Sequence, residues 1–137
     1  MGSFFSTNNN FNGGTPFILI ARCHVKPDVS LSDYIDAARI ADKEVMDTES
    51  GMIHHTFDKD PDDSRSFVWS ELYKNDDALL FHLENPPLQK FIEQHGEMGD
   101  NFSVEIYGTV SEKTKIICDA LPFPVKYYDS VLGYSRI

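Results

Sequence analysis

The sequence predicts an α+β fold in which strands and helices follow one another as β-α-β-β-α-β. Four stretches carry the apolar runs or the alternation of strands, and two stretches between them repeat apolar residues at helical spacing. Polar turns containing proline or glycine separate these stretches. This order is the ferredoxin-like arrangement, in which both helices cover one face of a four-stranded antiparallel sheet.

A strand followed by a helix is predicted at the start of the domain. Residues 17–25 are apolar and β-prone, and a Lys-Pro-Asp sequence ends the strand. Ser30 and Asp33 form the capping-box pattern that begins a helix, and Gly51 is expected to supply the left-handed residue that ends it. The helix has one apolar stripe, made by Leu31, Tyr34, Ile35, Ala38, Ala41 and Val45.

The second half of the domain is predicted to hold a hairpin, a helix and a last strand. Residues 51–58 and 65–73 have strand character, and the turn between them is polar and contains a proline. Asn75 can cap a second helix that runs to about Glu84, and the prolines after it stop this helix and begin a short third one. Apolar and polar residues alternate over 101–110, which predicts a fourth, half-buried strand.

Three regions follow one another along the chain. Residues 1–16 are rich in Asn, Gly and Ser and have little to bury, so we expect a disordered arm. Residues 17–110 form the ferredoxin-like domain, and 137 residues suit one domain. Residues 111–137 add a C-terminal extension, in which Ser111 caps a helix and residues 125–134 have strand character. We expect this strand to extend a sheet edge or to cross to a partner subunit.

The chain is strongly acidic. With 12 basic and 22 acidic residues its net charge is −10, which disfavours nucleic acid and anionic membranes as partners because both bind cationic surfaces. Apolar runs reach only about five residues, far short of the ~20 that span a bilayer, and no secretory signal is recognisable. Cys23 and Cys118 have neither zinc-binding nor redox spacing, so we expect reduced thiols in a cytoplasmic protein.

The predicted sheet is apolar on both faces. Ile18 and Ile20 in the first strand alternate with residues that are apolar as well. Arg22 shares their face and needs an anionic partner, for which Glu105 in the fourth strand is one possibility. Helices cover only one face, and monomers rarely leave a large apolar patch in water. We therefore expect a homodimer in which two sheets pack face to face.

Several short motifs, in their order along the chain, resemble the antibiotic biosynthesis monooxygenase family. They are Glu49-Ser-Gly-Met52, the hairpin, the stretch from Trp69 to Ala78, His82 and Pro86. Members of that family are dimeric α+β barrels and include quinol monooxygenases and related haem-degrading enzymes. The family has a Glu late in the third strand and a His eleven residues later, and Glu71 and His82 have this separation. The resemblance covers about residues 17–110.

The sequence departs from the family at two points. An Asn-Pro-Pro run beginning at Asn85 stands where the family often has Thr-Pro-His, so a second His is missing. The Asn and the Trp that serve the best-understood members have no clear counterpart, since the first strand offers no Asn and Trp69 lies on the third. The resemblance therefore implies the fold more strongly than the chemistry.

His82 is the first candidate for catalysis. A partly buried imidazole titrates near neutrality and can act as a general base, and the resemblance implies that Glu71 orients it. The alternative is a structural hydrogen-bonded pair in which His82 and Glu71 tie the second helix to the third strand. We expect no metal site, because the neighbours His54 and His55 point to opposite faces of a strand and no helix carries metal-binding spacing.

Four further residues are candidates for lining a substrate cavity. Trp69 offers an aromatic surface next to Glu71, which suits a flat ligand, although a large core side chain is the alternative. Alternation along the second strand turns either His54 or His55 inward, and we favour His55 because its neighbours on that face are the larger apolar side chains. Phe91 and His95 belong to one apolar stripe of the third helix, which directs His95 to the core or to a pocket mouth.

Two functions are consistent with these features. The resemblance implies a cofactor-independent monooxygenase whose aromatic substrate, a quinol or a polycyclic phenol, itself supplies the electrons for oxygen. The sequence contains no nucleotide or flavin motif. In this hypothesis His82 is the base, Glu71 orients it, and the other candidates line the cavity. The alternative is a non-catalytic dimeric barrel that binds or sequesters a hydrophobic small molecule.

Overall fold

A five-stranded sheet with helices packed on one face organises the computed structural model, which describes residues 11–137. The elements in chain order are β1 (Phe17–Val25), α1 (Leu31–Thr48), β2 (Met52–Lys59), β3 (Ser66–Tyr73), α2 (Asp76–Glu84), α3 (Pro86–Met98), β4 (Gly99–Tyr107), α4 (Glu112–Asp119) and β5 (Val125–Tyr128). The predicted β-α-β-β-α-β order is confirmed. Residues 1–10 of the predicted arm lie outside the described residues.

The strand order in the sheet is β2-β3-β1-β4-β5. The first four strands pair antiparallel, as the ferredoxin-like arrangement requires. β5 pairs parallel with β4 and makes the sheet mixed. This strand ends at Tyr128, six residues before the predicted end at Tyr134, and it extends the edge of its own sheet.

Capping side chains begin the helices where the sequence predicts them. The Ser30 hydroxyl accepts a hydrogen bond from the backbone N–H of Asp33 at the start of α1. The Asn75 side chain does the same for the N–H of Ala78 at the start of α2. Each cap satisfies one of the backbone donors that a first helical turn leaves free.

The prediction for Gly51 is wrong. Among the described residues only Gly108, Gly133 and Asn101 have a positive φ, so Gly51 is not the left-handed residue that ends α1. Its function is close packing instead, since a Cβ atom at Gly51 would lie 2.6 Å from the Cβ of Ala78. The missing side chain lets α2 approach the end of α1 closely.

The core lies between one face of the sheet and the first three helices. Burial alternates along all 9 residues of β1 and all 8 residues of β3, so every second side chain faces the helices. Tyr34 of α1, Leu79 of α2 and Phe91 of α3 are buried against these strands. Within residues 11–137, no helix combines the length and the hydropathy needed to cross a bilayer.

The other face of the sheet is open. Ile18 is 47% exposed there, and the stacked rings of Tyr107 and Tyr128, 4.7 Å apart, lie beside it at the β4–β5 edge. Arg22 pairs with Glu105 at 3.2 Å, the possible partner named from the sequence. The face therefore combines exposed apolar side chains with an ion pair.

The C-terminal extension packs against the edge of the domain. The backbone N–H of Val104 donates to the carbonyl of Pro124, and the N–H of Gly108 donates to that of Tyr128, both at 2.9 Å. The Phe123 ring contacts the Phe102 ring of β4 at a centroid distance of 4.7 Å. Through these contacts the extension packs against β4 and the core beside it.

Candidate functional site

An apolar cavity of about 50 Å³ lies between the sheet and the helices, and the C-terminal extension forms part of its wall. Polar groups reach it from only three places, which are β2, β3 and α2. The lining residues are Leu19, Ala21, Ala41, Val45, His55, Trp69, Glu71, Tyr73, Leu79, His82, Leu83, Leu88, Phe91, Phe102, Val104, Cys118, Leu121, Phe123 and Val125. A few convergent polar groups in an apolar surround are typical of a ligand or active site.

His82 on α2 is buried at this cavity, with 5% of its side chain exposed. Its Nδ1 atom lies 2.8 Å from both carboxylate oxygens of Glu49. A carboxylate only accepts, so Nδ1 carries a hydrogen and donates it, which turns Nε2 toward the cavity and toward Glu71. The pair has the geometry of an acid that orients a catalytic base.

This arrangement corrects the predicted partner of His82. Its Nε2 atom is 4.0 Å from Oε1 of Glu71, which is too long for a hydrogen bond. Glu71 lies on the same cavity wall, but Glu49 at the end of α1 is the residue that orients the imidazole. The prediction failed because it used only the separation of two positions along the chain, and Glu49 approaches from another element.

Glu49 was not recognised from the sequence as a site residue. It is 5% exposed, and Asn85 at the start of α3 donates its Nδ2–H to the Oε2 atom of Glu49 at 2.9 Å. The available signal was its position directly after α1 and two residues before Gly51. The close packing of α2 at Gly51 brings His82 to this carboxylate.

Glu71 lies between two imidazoles. Its Oε1 accepts a hydrogen bond of 2.5 Å from the Tyr73 hydroxyl and faces Nε2 of His82. Its Oε2 faces Nε2 of His55 at 3.7 Å. The Nδ1 atom of His55 lies 2.8 Å from the Asp42 carboxylate on α1. Each imidazole thus has its own acid on Nδ1 and presents Nε2 to one oxygen of Glu71.

The electrostatics of the site increase the proton affinity of His82 and of Tyr73. Burial lowers the pKa of His82, but the hydrogen bond to Glu49 and the charges of Glu71 and Glu49 outweigh it and hold the pKa above its usual 6.5. Burial and the neighbouring Glu71 raise the pKa of Tyr73 well above its usual value. Tyr73 therefore remains a hydrogen-bond donor to Glu71.

Aromatic side chains form one side of the cavity. The His55 ring stacks on Trp69 at a centroid distance of 4.6 Å, which confirms that His55 points inward. Phe91 meets Trp69 edge-on at 5.5 Å. Such surfaces suit a flat aromatic ligand.

His95 lies away from this cavity. Its Nδ1 atom is 2.7 Å from the Tyr34 hydroxyl, and its ring contacts Phe102 edge-on at 5.0 Å. Burial lowers the pKa of His95 below its usual 6.5 despite the opposing charge of Asp100. The structure therefore brings together His82, Glu71, His55, Trp69 and Phe91 of the predicted site, and it leaves His95 as a hydrogen-bonded core histidine.

The two cysteines are not activated nucleophiles. Cys23 and Cys118 are both buried as free thiols, and burial raises the pKa of each to about 11. A thiol with such a pKa is protonated at neutral pH and is a poor nucleophile. Within residues 11–137, no three His, Cys, Asp or Glu side chains are arranged to hold a metal ion.

The chain matches a known protein family. The family model for antibiotic biosynthesis monooxygenase matches residues 16–94, which is more than half of the chain. An uncharacterised protein of Synechocystis sp. strain PCC 6803 is 27% identical over 89 residues. That alignment covers 61% of this chain, and the chain spans only 55% of the length of this curated relative.

Solved structures share the fold. A provisionally named antibiotic biosynthesis monooxygenase from Caulobacter crescentus CB15 superposes with a TM-score of 0.64 at 17% identity, covering 72% of this chain and 92% of that one. A counterpart with the same provisional name from Nitrosomonas europaea gives 0.63 at 21% identity, with 69% and 89% covered. A conserved protein from Methanosarcina mazei Go1 gives 0.63 at 17% identity, with 69% and 93% covered. At these identities the likeness shows the fold alone.

Proposed function

The chain belongs to the antibiotic biosynthesis monooxygenase family, and from this premise we propose that it is a cofactor-independent monooxygenase acting on a small aromatic phenol or quinol. One observation carries the proposal. An imidazole oriented by a buried carboxylate, the His82–Glu49 pair, faces an apolar cavity with an aromatic wall.

His82 acts as the general base in this proposal. The phenolic O–H of the substrate is directed at Nε2, which takes the proton while Nδ1–H stays hydrogen-bonded to Glu49. The resulting phenolate is electron-rich and passes electrons to dioxygen. One oxygen atom enters the product and the other leaves as water, so the substrate is the reductant and the protein supplies position, proton transfer and exclusion of water.

The size of the cavity limits the substrate. An engineered cavity that binds benzene has a volume on the order of 150 Å³, and this cavity has about 50 Å³. A single ring therefore enters only when part of the wall moves outward. Leu121 and Phe123 of the C-terminal extension belong to that wall, and we expect the extension to be the part that moves.

Oxygen uptake tests the proposal. The wild type and His82→Ala are compared on a panel of substituted hydroquinones and bicyclic phenols, with His54→Ala as the matched control because His54 is exposed on β2. Loss of a general base lowers the rate by about 10²–10⁴-fold. We expect that loss in His82→Ala and none in His54→Ala. Equal rates in all three proteins would remove His82 from the mechanism.

A non-catalytic binder is the second candidate. It is favoured by the apolar cavity and by the Asn-Pro-Pro run that replaces the family's second His, where Asn85 is engaged in holding Glu49. A ligand that binds only the folded protein raises its melting temperature. A phenol that raises the melting temperature without any oxygen uptake would support the binder over the enzyme.

We also propose a homodimer formed through the open face of the sheet. Ile18, Tyr107 and Tyr128 are exposed on this face, and the Arg22–Glu105 pair lies among them. Packing against the same face of a second copy would remove these side chains from water. The assembly does not supply a residue to the cavity, which lies on the helix side of the sheet.

A further inference from the structure

We propose that His55, held by Asp42, is a second catalytic residue of this site, the general acid that protonates the leaving oxygen while His82 acts as the base. The inference rests on the proposed function, because it concerns the breakdown of a substrate peroxide. Its structural basis is a series of contacts between four side chains. Each residue contacts the next in the order Asp42, His55, Glu71 and His82.

The reaction itself calls for an acid. Dioxygen adds to a ring carbon of the phenolate, and the phenolic proton held by His82 moves to the outer oxygen, which gives a carbon-bound hydroperoxide. In the next step a base removes the hydrogen from that carbon, the C–H electron pair forms the carbonyl, and the O–O bond breaks. The departing hydroxide must receive a proton to leave as water. The sum is one substrate with two hydrogens plus dioxygen, giving one carbonyl product and one water.

His55 has the position that such an acid needs. It lines the cavity with 11% of its side chain exposed, and stacking on Trp69 at 4.6 Å fixes its ring. The Asp42 carboxylate accepts from Nδ1–H at 2.8 Å, so the other nitrogen, Nε2, is the one turned to the cavity. Groups that face this imidazole are Asp42 from α1, Glu71 from β3 and His82 from α2, whose ring centroid is 6.3 Å away.

The two carboxylate oxygens of Glu71 have different surroundings, and this distinguishes the two imidazoles that face them. Oε1, the oxygen nearest His82, also accepts the Tyr73 hydroxyl at 2.5 Å, and Nε2 of His82 is 4.0 Å away, so this oxygen is the more weakly coupled to its imidazole. Among the described residues no donor other than His55 faces Oε2, which lies 3.7 Å from Nε2 of His55. Oε2 is therefore free to accept an N–H from Nε2 of His55, and in this proposal that nitrogen carries the proton for the leaving oxygen.

The same carboxylate resets the site. After the reaction His82 carries one proton more and His55 one proton fewer. Nε2 of His82 gives its proton to Oε1 of Glu71, the carboxylic acid so formed turns about its Cγ–Cδ bond, and the same proton then passes to Nε2 of His55, with small shifts closing the gaps of 4.0 and 3.7 Å. On the far side of His82, Glu49 meets the amide of Asn85, which donates hydrogen but does not relay a proton.

The experiment measures how the consumed dioxygen divides between oxidised product and hydrogen peroxide. Hydrogen peroxide and oxidised product are counted per dioxygen consumed in the wild type, Asp42→Asn and His55→Phe, which keeps an aromatic ring against Trp69. Asp36→Asn is the control, because Asp36 is an exposed carboxylate on the same helix and pairs with Arg39. A variant that merely loses its structure forms less product and less hydrogen peroxide. Loss of the acid instead changes the ratio of product to hydrogen peroxide.

We expect the wild type and Asp36→Asn to form product with little peroxide. In Asp42→Asn and His55→Phe we expect product formation to fall by about 10²-fold, with unchanged KM and with dioxygen diverted to hydrogen peroxide or a lasting organic hydroperoxide. Full product yield without peroxide in both variants would overturn the role of His55 and leave the proposed function standing. No oxygen uptake by the wild type on any phenol would overturn both. Should His55→Phe fold poorly, Asp42→Asn carries the test, since that side chain is 47% exposed.

Discussion

Glu49 at the end of α1 holds both of its carboxylate oxygens 2.8 Å from Nδ1 of His82 on α2. The two residues are 33 positions apart in the sequence, and both are nearly fully buried. A buried carboxylate with this geometry sets the tautomer of the imidazole and stabilises its protonated form. Glu49 is therefore a positioning residue for the proposed base.

Replacing Glu49 tests this role directly. In Glu49→Gln the amide no longer requires a hydrogen on Nδ1 of His82, so the imidazole loses its fixed orientation. We expect kcat for oxygen uptake to fall by about 10²-fold, with the rate optimum shifted to lower pH because a charge that raises the His82 pKa is gone. Glu44→Gln, on the exposed side of the same helix, is the control. A wild-type rate and pH profile in Glu49→Gln would contradict the assignment.

The two buried histidines predict how stability depends on pH. The pKa of His82 is raised in the folded state, so its contribution is complete below about pH 6.5 and is lost as the pH rises through the folded value. The pKa of His95 is lowered, so its contribution is present above about pH 6.5 and is lost as the pH falls through the folded value. Together they favour a maximum near neutrality.

Urea unfolding between about pH 5.5 and 8.5 measures these slopes. We expect His82→Gln to flatten the fall in unfolding free energy on the alkaline side. His95→Gln should flatten the acidic side instead. If both variants retained the wild-type dependence, other groups would govern the stability in this range.

The open sheet face predicts a dimer that one charge can break. A lysine at Ile18 would place an ammonium in the centre of the proposed contact, where it has no anionic partner of its own. We expect Ile18→Lys to sediment as a monomer under conditions where the wild type is dimeric. Met46→Lys introduces the same charge at an exposed position of α1 and should leave the mass unchanged. A monomeric wild type would refute the dimer.

Two truncated chains distinguish the contribution of β5 to stability from that of the residues after it. A chain that ends at Tyr128 loses only residues outside the helices and strands, and we expect its melting temperature to be unchanged. A chain that lacks residues 122–137 loses β5, the Phe123–Phe102 contact and part of the cavity wall. We expect this variant to melt at a lower temperature because the β4 edge is left unpaired, and to form a weaker dimer by sedimentation because Tyr128 is removed from the proposed contact. Equal melting of both truncations would contradict a structural role for β5.

Local patterns predicted the fold well and the site only in part. Strand alternation narrowed the inward residue of β2 to His54 or His55, and the larger apolar neighbours of His55 correctly favoured it. Glu105, one possible partner of Arg22, is the one that pairs with it. The Glu49–His82 pair escaped prediction because it depends on how closely α2 packs against the end of α1. That distance is decided by the contact between Gly51 and Ala78, and no periodicity reports it.

The outcome for His95 has the same origin. Helical spacing correctly grouped it with Phe91 on one stripe of α3, but a stripe of a helix can reach two neighbours at once. Phe91 turns to Trp69 and the cavity, whereas His95, one turn later, meets Tyr34 of α1. Only the relative placement of three elements separates these two environments.

The family model ends at residue 94, yet Phe123 and Val125 help to enclose the cavity. The proposed acid and base residues and the C-terminal residues that line the cavity thus belong to separate stretches of the chain. Exchanging residues 111–128 between relatives should alter which molecules are accepted while leaving the proton chemistry intact. Relatives could in this way differ in the aromatic molecules that they accept while keeping the same acid and base residues.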